Sequence, residues 1–339
     1  MKNIALCFDH VCDRSGSDAM SNVSVLAQLL DSGDAQLVWF APPPATPGRY
    51  RPGARRGPRE AARASVVAAY EFLVEHWEPG DRIHLFGAGR GAFCARALAR
   101  LLGTVGVLRG PGVPGWTAAD FREYVLSTYA MPRTGRSAAD WQRVGNIAAG
   151  LSGTDVAVDV AFLGLWDTLE VPGVPPLPDP LPTVAAVRHA VAIDGGFGPF
   201  GARPLGYCAD GVQEVWFRGA HCDVAGGPNA CAPLTRITLD WMLDGATTAG
   251  VALRPSARHR APAPSPADAL AGSTRPVPLR TVPADAAVHA SVQIYLRSHP
   301  SYWRRLPARF VWADLDWVAR AERLMPEPAA HATVLVGVS

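Results

Sequence analysis

Short apolar runs alternate with longer segments whose apolar residues recur every three or four positions, from the first residues to about position 250. Residues 3–8 form the first run, read as a strand that ends at Asp9-His10. Ser21-Asn22 caps a helix with Val25, Leu26, Leu29 and Leu30 on one face, and 36–40 is a second strand. Residues 41–58 are too rich in Pro, Gly and Arg for regular structure. An amphipathic helix spans 60–77, with Ala62, Val66, Ala69, Tyr70, Leu73 and Trp77 at helical spacing, and Glu78-Pro79-Gly80-Asp81 stops it. A strand over 82–86 then meets the turn Gly87-Ala88-Gly89-Arg90-Gly91. A helix over 92–102 follows, with Cys94, Ala95, Leu98, Leu101 and Leu102 on its inner face.

Thr117-Ala118-Ala119-Asp120 is a capping box that opens a helix to about residue 129, and another helix spans 138–147. Two helices between strands predict a cap over about 116–150. Residues 156–166 are an apolar central strand with Asp167 at its carboxyl end, and the prolines of 171–182 make a loop. The run 189–193 fits strand or helix. A strand over 214–217 runs into Arg218-Gly219-Ala220-His221-Cys222-Asp223-Val224-Ala225-Gly226-Gly227, and a helix covers 234–249. From 254 to 285 the composition shifts to Pro, Ala and Arg, as in an exposed loop or linker. Residues 286–339 read as a C-terminal extension packing on the same domain. It holds an apolar segment at 287–296, the aromatics Tyr302, Trp303, Phe310, Trp312 and Trp317, and a helix near 315–324. The alternation predicts an α/β fold over 1–253, a mainly parallel sheet with helices on both faces and a helical cap insertion.

Composition narrows the function. With 339 residues, 48% of them hydrophobic, the chain can bury a large core. A formal charge of +2 and the lack of a long basic run argue against nucleic acid as a partner. The six cysteines form no C-x-x-C pair, which fits free thiols in a reducing cytoplasm. Residues 1–8 are too short for a signal-peptide core, and no apolar run reaches the roughly 20 residues that span a bilayer.

Strand, Gly-rich turn and helix at 82–102 are the setting of the nucleophile elbow G-x-S-x-G, but Gly89 stands where the serine belongs. Glycine adopts the positive φ of that turn without penalty, so the turn survives and the hydroxyl is gone. Losing the nucleophile of such a hydrolase costs about six powers of ten in turnover, which excludes covalent ester hydrolysis through residue 89. Position 89, Asp167 and His221 still follow the α/β-hydrolase order of nucleophile, acid and base. Taken alone, Asp167 is an ordinary strand-end carboxylate and His221 a structural histidine in a Gly-rich turn. Together after an elbow, they read as an orienting acid and a proton-transferring base.

No metal or other cofactor is expected. Asp9, His10, His221 and Asp223 lack zinc-type spacing, and the elbow lacks the Lys-Ser/Thr of a phosphate loop. A dinucleotide fingerprint would need a glycine where Ala92 stands.

The chain resembles the uncharacterised α/β-hydrolase domain family that includes the type VI secretion phospholipase effectors. The likeness lies in Asn22-Val23, Ala69-Tyr70-Glu71-Phe72-Leu73-Val74, Glu78-Pro79-Gly80-Asp81, Leu85-Phe86-Gly87 and Arg90-Gly91-Ala92. It continues through Phe162-Leu163-Gly164-Leu165-Trp166-Asp167-Thr168, Val215 to Val224, and Leu239-Asp240-Trp241-Met242-Leu243. The resemblance implies Asp167 as triad acid, His221 as base, and lipid esters as the substrates of hydrolytic members. This chain departs from the family at Gly89, at His10-Val11 in place of Gly-Thr, at Cys222 and Ala225, and at Ala41-Pro42-Pro43-Pro44 in place of a glycine loop.

Three functional classes follow. His221 and Asp167, joined by His10 and Asp9, act as acid and base without a protein nucleophile, on a small apolar or acyl-bearing molecule. The reaction is then water activation, elimination, isomerisation or cyclisation. The backbone N–H of Arg90, in the Gly87–Gly91 turn, and a partner near Asp9-His10 hold developing negative charge. Alternatively the protein is a pseudoenzyme that binds a ligand or partner. Last, Cys222 or Cys94 replaces the serine, although Cys222 adjoins His221 in the chain and neighbours point apart.

Overall fold

The computed structural model describes residues 1–9, 20–41, 57–109, 117–152, 156–176, 181, 183–195, 203–207, 209–272 and 280–319. Eight strands form one sheet: β1 (Asn3–Phe8), β2 (Gln36–Ala41), β3 (Arg82–Ala88), β4 (Val160–Trp166), β5 (Val187–Ala192), β6 (Val212–Phe217), β7 (Ala286–His289) and β8 (Phe310–Ala313). Their order is β2-β1-β3-β4-β5-β6-β7-β8, and all neighbouring strands are parallel. The chain is an α/β protein. Of the ambiguous run at 189–193, all but the last residue belongs to β5, and the segment at 287–296 divides into β7 and a helix. Residues 315–319 form turns, and the rest of the helix expected near 315–324 lies outside the described residues.

Parallel strands covered on both faces bury nearly every side chain, so they read as continuous apolar runs rather than alternating ones. On one face, Ile4, Leu6, Phe8, Ile83, Leu85, Leu163 and Leu165 meet α2 (Pro58–His76) and α3 (Arg90–Val105). On the other, Ala5, Cys7, Phe86, Phe162, Trp166 and Phe217 meet α1 (Asn22–Leu29) and α7 (Ala232–Thr248). The helices expected as a cap, α4 (Ala118–Thr128) and α5 (Ala138–Ser152), place Phe121, Val125, Trp141 and Val144 in the first of these cores, against α2 and α3. A third cluster of Val191, Trp216, Val288, Val292 and Leu296 seats the helix Ser291–Ser298 over β5–β7.

The stretch expected as exposed, 254–285, contributes buried residues. Ala257, Ala261 and Ala269 enter the second core and Val282 the third. Small side chains let this irregular segment lie close to the sheet. Arg218 anchors it by donating to the Ala269 carbonyl at 2.9 Å and to that of Ala271.

Register decides where the chemistry gathers. Phe8 pairs with Gly87, Ala88 with Trp166, Trp166 with Ala190, and Ala192 with Phe217. The carboxyl ends of β1, β3, β4, β5 and β6 therefore share one rim. After β1 the chain adds β2 on one side and then β3 on the other, so the connections diverge between β1 and β3. That divergence opens the crevice where open α/β sheets bind ligands.

Candidate active site

Gly89 leaves β3 with φ +57° and ψ −117° and starts α3. Side chains of L-residues rarely adopt that conformation, and glycine meets it without strain. The flanking glycines answer to space. A Cβ on Gly87 would lie 2.5 Å from the Ala92 Cα, and one on Gly91 would collide with the Phe8 carbonyl. Bare Cα atoms thus let α3 sit against the ends of β3 and β1. The turn is sewn to β4 by Gly89 N–H donating to Trp166 O at 2.8 Å and Leu169 N–H donating to Gly89 O at 3.0 Å.

His221 is the first residue of α6 (His221–Ala225). Asn22 steadies that short helix from α1, its side-chain amide donating to Val224 O and to Thr238 Oγ1, each at 2.9 Å. The Nδ1 of His221 lies 2.7 Å from Asp167 Oδ2. Its other edge faces the elbow: a Cβ on Gly89 would stand 3.2 Å from Cε1 and 3.3 Å from Nε2. A serine hydroxyl at position 89 would fall within hydrogen-bonding reach of that nitrogen.

Asp167 follows β4 with φ +43°, an uncommon conformation for a residue with a side chain. The carboxylate is fully buried. Its Oδ1 accepts from the Ala192 N–H at 3.0 Å and from Arg280 Nη1 at 2.6 Å, while Oδ2 accepts from His221 and from Arg280 Nη2 at 3.0 Å. Burial disfavours the charged form. The His221 hydrogen bond and the Arg280 charge outweigh it and hold the carboxyl well below its ordinary range.

The structure thus brings Gly87, Gly89, Arg90, Gly91, Asp167 and His221 to one rim. Asp9 stands at the end of β1, buried, and accepts from the Ser24 hydroxyl. His10, Val11 and Pro42–Pro44 lie outside the described residues. Asp223, weighed as a metal ligand, instead accepts from the N–H groups of Ala220 at 2.9 Å and Cys231 at 2.8 Å. Among the described residues no group of three or more His, Cys, Asp or Glu is placed to hold a metal ion. Cys222 sits on α6, next to His221 in the chain. Cys94 lines a small recess with Phe8, Asp9 and Gly91, and burial pushes its thiol up to about 12, which leaves it a poor nucleophile.

Sequence reading missed Arg280, which comes from the Pro-rich stretch. It also missed Asp194 at the end of β5. That carboxylate accepts from the Gly219 N–H at 3.0 Å, Tyr302 Oη at 2.9 Å and Arg305 Nη1 at 2.7 Å, bracing the loop that leads to His221. Two further buried histidines face carboxylates. His189 Nδ1 lies 2.9 Å from Glu214 Oε2, with Thr168 N–H and Oγ1 at its Nε2. His289 Nε2 lies 3.0 Å from Asp314 Oδ2, with Ser291 N–H and Oγ at its Nδ1. Both imidazoles have polar partners on each nitrogen and bind strand ends together.

A parallel sheet with helices on both faces, an elbow after β3, an acid after β4 and a histidine after β6 define an α/β-hydrolase-like protein. Residues 2–245 match the family described as "T6SS, Phospholipase effector Tle1-like, catalytic domain", and the chain belongs to that family. It is similar to the uncharacterized protein YEL023C of Saccharomyces cerevisiae, 28% identical over 225 residues, which are 59% of this chain and 32% of the yeast protein. Among solved structures it is similar to an uncharacterized protein from Pseudomonas aeruginosa, with 18% identity and a TM-score of 0.45 over 76% of this chain and 47% of that one. It is also similar to the Tle1 effector bound to the VgrG spike from the type 6 secretion system. There identity is 16% and the TM-score 0.38, over 68% of this chain and 52% of that one. The chain spans about a third of the yeast relative and about half of each solved chain.

Proposed function

We propose that the protein is an acid/base enzyme on an α/β-hydrolase scaffold, in which His221 moves the proton and Asp167 orients it. No side chain serves as covalent nucleophile. The observation that carries this reading is the pairing of His221 Nδ1 with Asp167 at 2.7 Å while Nε2 faces the bare Gly89. A water or a substrate group occupying the place of a serine hydroxyl would meet that nitrogen and lose its proton there. Negative charge formed on the substrate would be met by the N–H of Arg90, at the N-terminal end of α3. The substrate is a small apolar or acyl-bearing molecule, and the step is water activation, elimination, isomerisation or cyclisation.

The test is a panel of acyl esters and lactones. The expected result is turnover that survives a fluorophosphonate, which attacks serine nucleophiles, and disappears in His221→Ala. Turnover indifferent to His221→Ala would overturn the reading. Gly89 by itself favours a second reading, a pseudoenzyme whose pocket binds a ligand. Specific ligand binding without turnover in both proteins would select it.

A further inference from the structure

Asp167 is shared between a histidine and an arginine. The Arg280 guanidinium lies along both carboxylate oxygens, at 2.6 and 3.0 Å, and its Nη1 also donates to the Ala192 carbonyl at 3.1 Å. Its side chain is 6% exposed and the carboxylate beside it fully buried. The cradle is shaped for it: a Cβ on Gly195 would stand 2.8 Å from Arg280 Nε and 3.2 Å from Cζ. An orienting acid needs only one oxygen turned to the imidazole. A two-pronged cation behind it does two further things. It fixes the carboxylate plane so that Oδ2 keeps facing Nδ1, and it neutralises the charge that would stabilise an imidazolium.

We propose that Arg280 is a positioning residue of the His221–Asp167 pair, which locks the carboxylate and weakens the hold of His221 on a second proton. Its consequence for catalysis rests on the acid/base reading above. Protonating His221 beside Asp167 and Arg280 leaves three charged groups with a net positive charge. Without Arg280 the same proton completes a neutral pair. Arg280 therefore keeps the imidazole in its neutral, proton-accepting form at lower pH.

Other charged groups occupy the elements around α6. Asp9 ends β1, Arg90 starts α3, Asp194 ends β5 beside Arg305 and Tyr302, and Arg218 follows β6. Arg236 on α7 pairs with Asp268, Asp240 is buried on α7, and Asp223 lies on α6 itself. None of these changes identity when Arg280 alone is replaced, so the difference between two proteins isolates its effect.

The experiment is an imidazole ¹⁵N NMR titration of the full chain, with the His221 signal identified by its loss in His221→Asn. In the unaltered protein neutral His221 should carry its proton on Nδ1, facing Asp167, and its midpoint should lie below that of a protein lacking the Arg280 charge. In Arg280→Gln the midpoint should rise by about one pH unit, and an unmoved midpoint with the Nδ1 proton still hydrogen-bonded would overturn the proposal. Should that variant fail to fold, Arg280→Met keeps most of the side chain's length and apolar packing without the charge, and its midpoint is read in the same way. The titration reads a proton and needs no turnover. A catalytically inert protein would leave the result standing, and an active one with an unmoved midpoint would sink the proposal.

Discussion

His221 turns Nε2 toward Gly89, 3.3 Å from where a Cβ would stand, while its Nδ1 holds Asp167 at 2.7 Å. The imidazole is thus aligned on the position where a side chain is lacking. The elbow backbone keeps φ +57° and ψ −117°, so the geometry of the turn does not depend on the hydroxyl.

Gly89→Ser should restore that hydroxyl within reach of the imidazole. Serine at this positive φ costs roughly 1–3 kcal/mol of stability, and Gly89→Ala should show the same loss. The serine variant alone should become labelled by a fluorophosphonate and release p-nitrophenol from acyl esters. Labelling of neither variant would mean that the pair cannot activate a nucleophile.

Gly91→Ala should destabilise the fold by about 1–3 kcal/mol or more, because the new methyl meets the backbone carbonyl of Phe8. Gly135→Ala is the matched control, since a Cβ there has nothing within 4 Å. Urea unfolding of the two variants compares them directly, and equal midpoints would contradict the packing.

Asp167 and Arg280 should be strongly coupled in stability. Removing one partner leaves a buried charge uncompensated, at a cost of about 3–5 kcal/mol for Asp167→Asn or Arg280→Gln. The double variant should lose less than the sum, and a strictly additive cycle would deny the contact. The carboxyl of Asp167 is held low in the fold, so its contribution is complete above the ordinary carboxylate range and fades as pH falls through it toward the folded value.

His84 adds an acid response of the same sign, set by burial rather than by a partner. It is buried in β3, and burial, with Arg82 nearby, lowers its pKa to about 4. Between the ordinary histidine value and about 4, the unfolded chain takes a proton that the folded one refuses. Stability should therefore decline as pH falls through that window, by on the order of 3 kcal/mol. Thermal midpoints measured from pH 7 to 4 should decline less steeply in His84→Gln than in the unaltered protein.

How much could be read beforehand varied with the source of each signal. Asn3–Phe8 coincides with the first strand because six apolar or strand-compatible residues end abruptly at Asp9. The elbow stood out because Gly87, Gly89 and Gly91 mark a turn with three demanding positions, Asp167 because it directly follows a strong apolar run, and His221 because it lies in the Gly-rich turn that leaves another strand. Arg280 gave no such sign. It lies among prolines without periodicity, and its role depends on a carboxylate 113 positions away in the chain. The Asp194–Tyr302–Arg305 contacts were hidden for the same reason: they join segments that no local pattern links. Periodicity reports which face is buried, whereas pairing between distant irregular segments is settled only by tertiary packing.

The match to the family ends at residue 245, yet the guanidinium on Asp167 comes from position 280. Similarity confined to the matched span therefore conveys the order of carboxylate and imidazole without the guanidinium that meets the carboxylate. Relatives that share Asp167 and His221 but lack a cation contributed from downstream would run their histidines at a different acidity, on an otherwise equivalent frame.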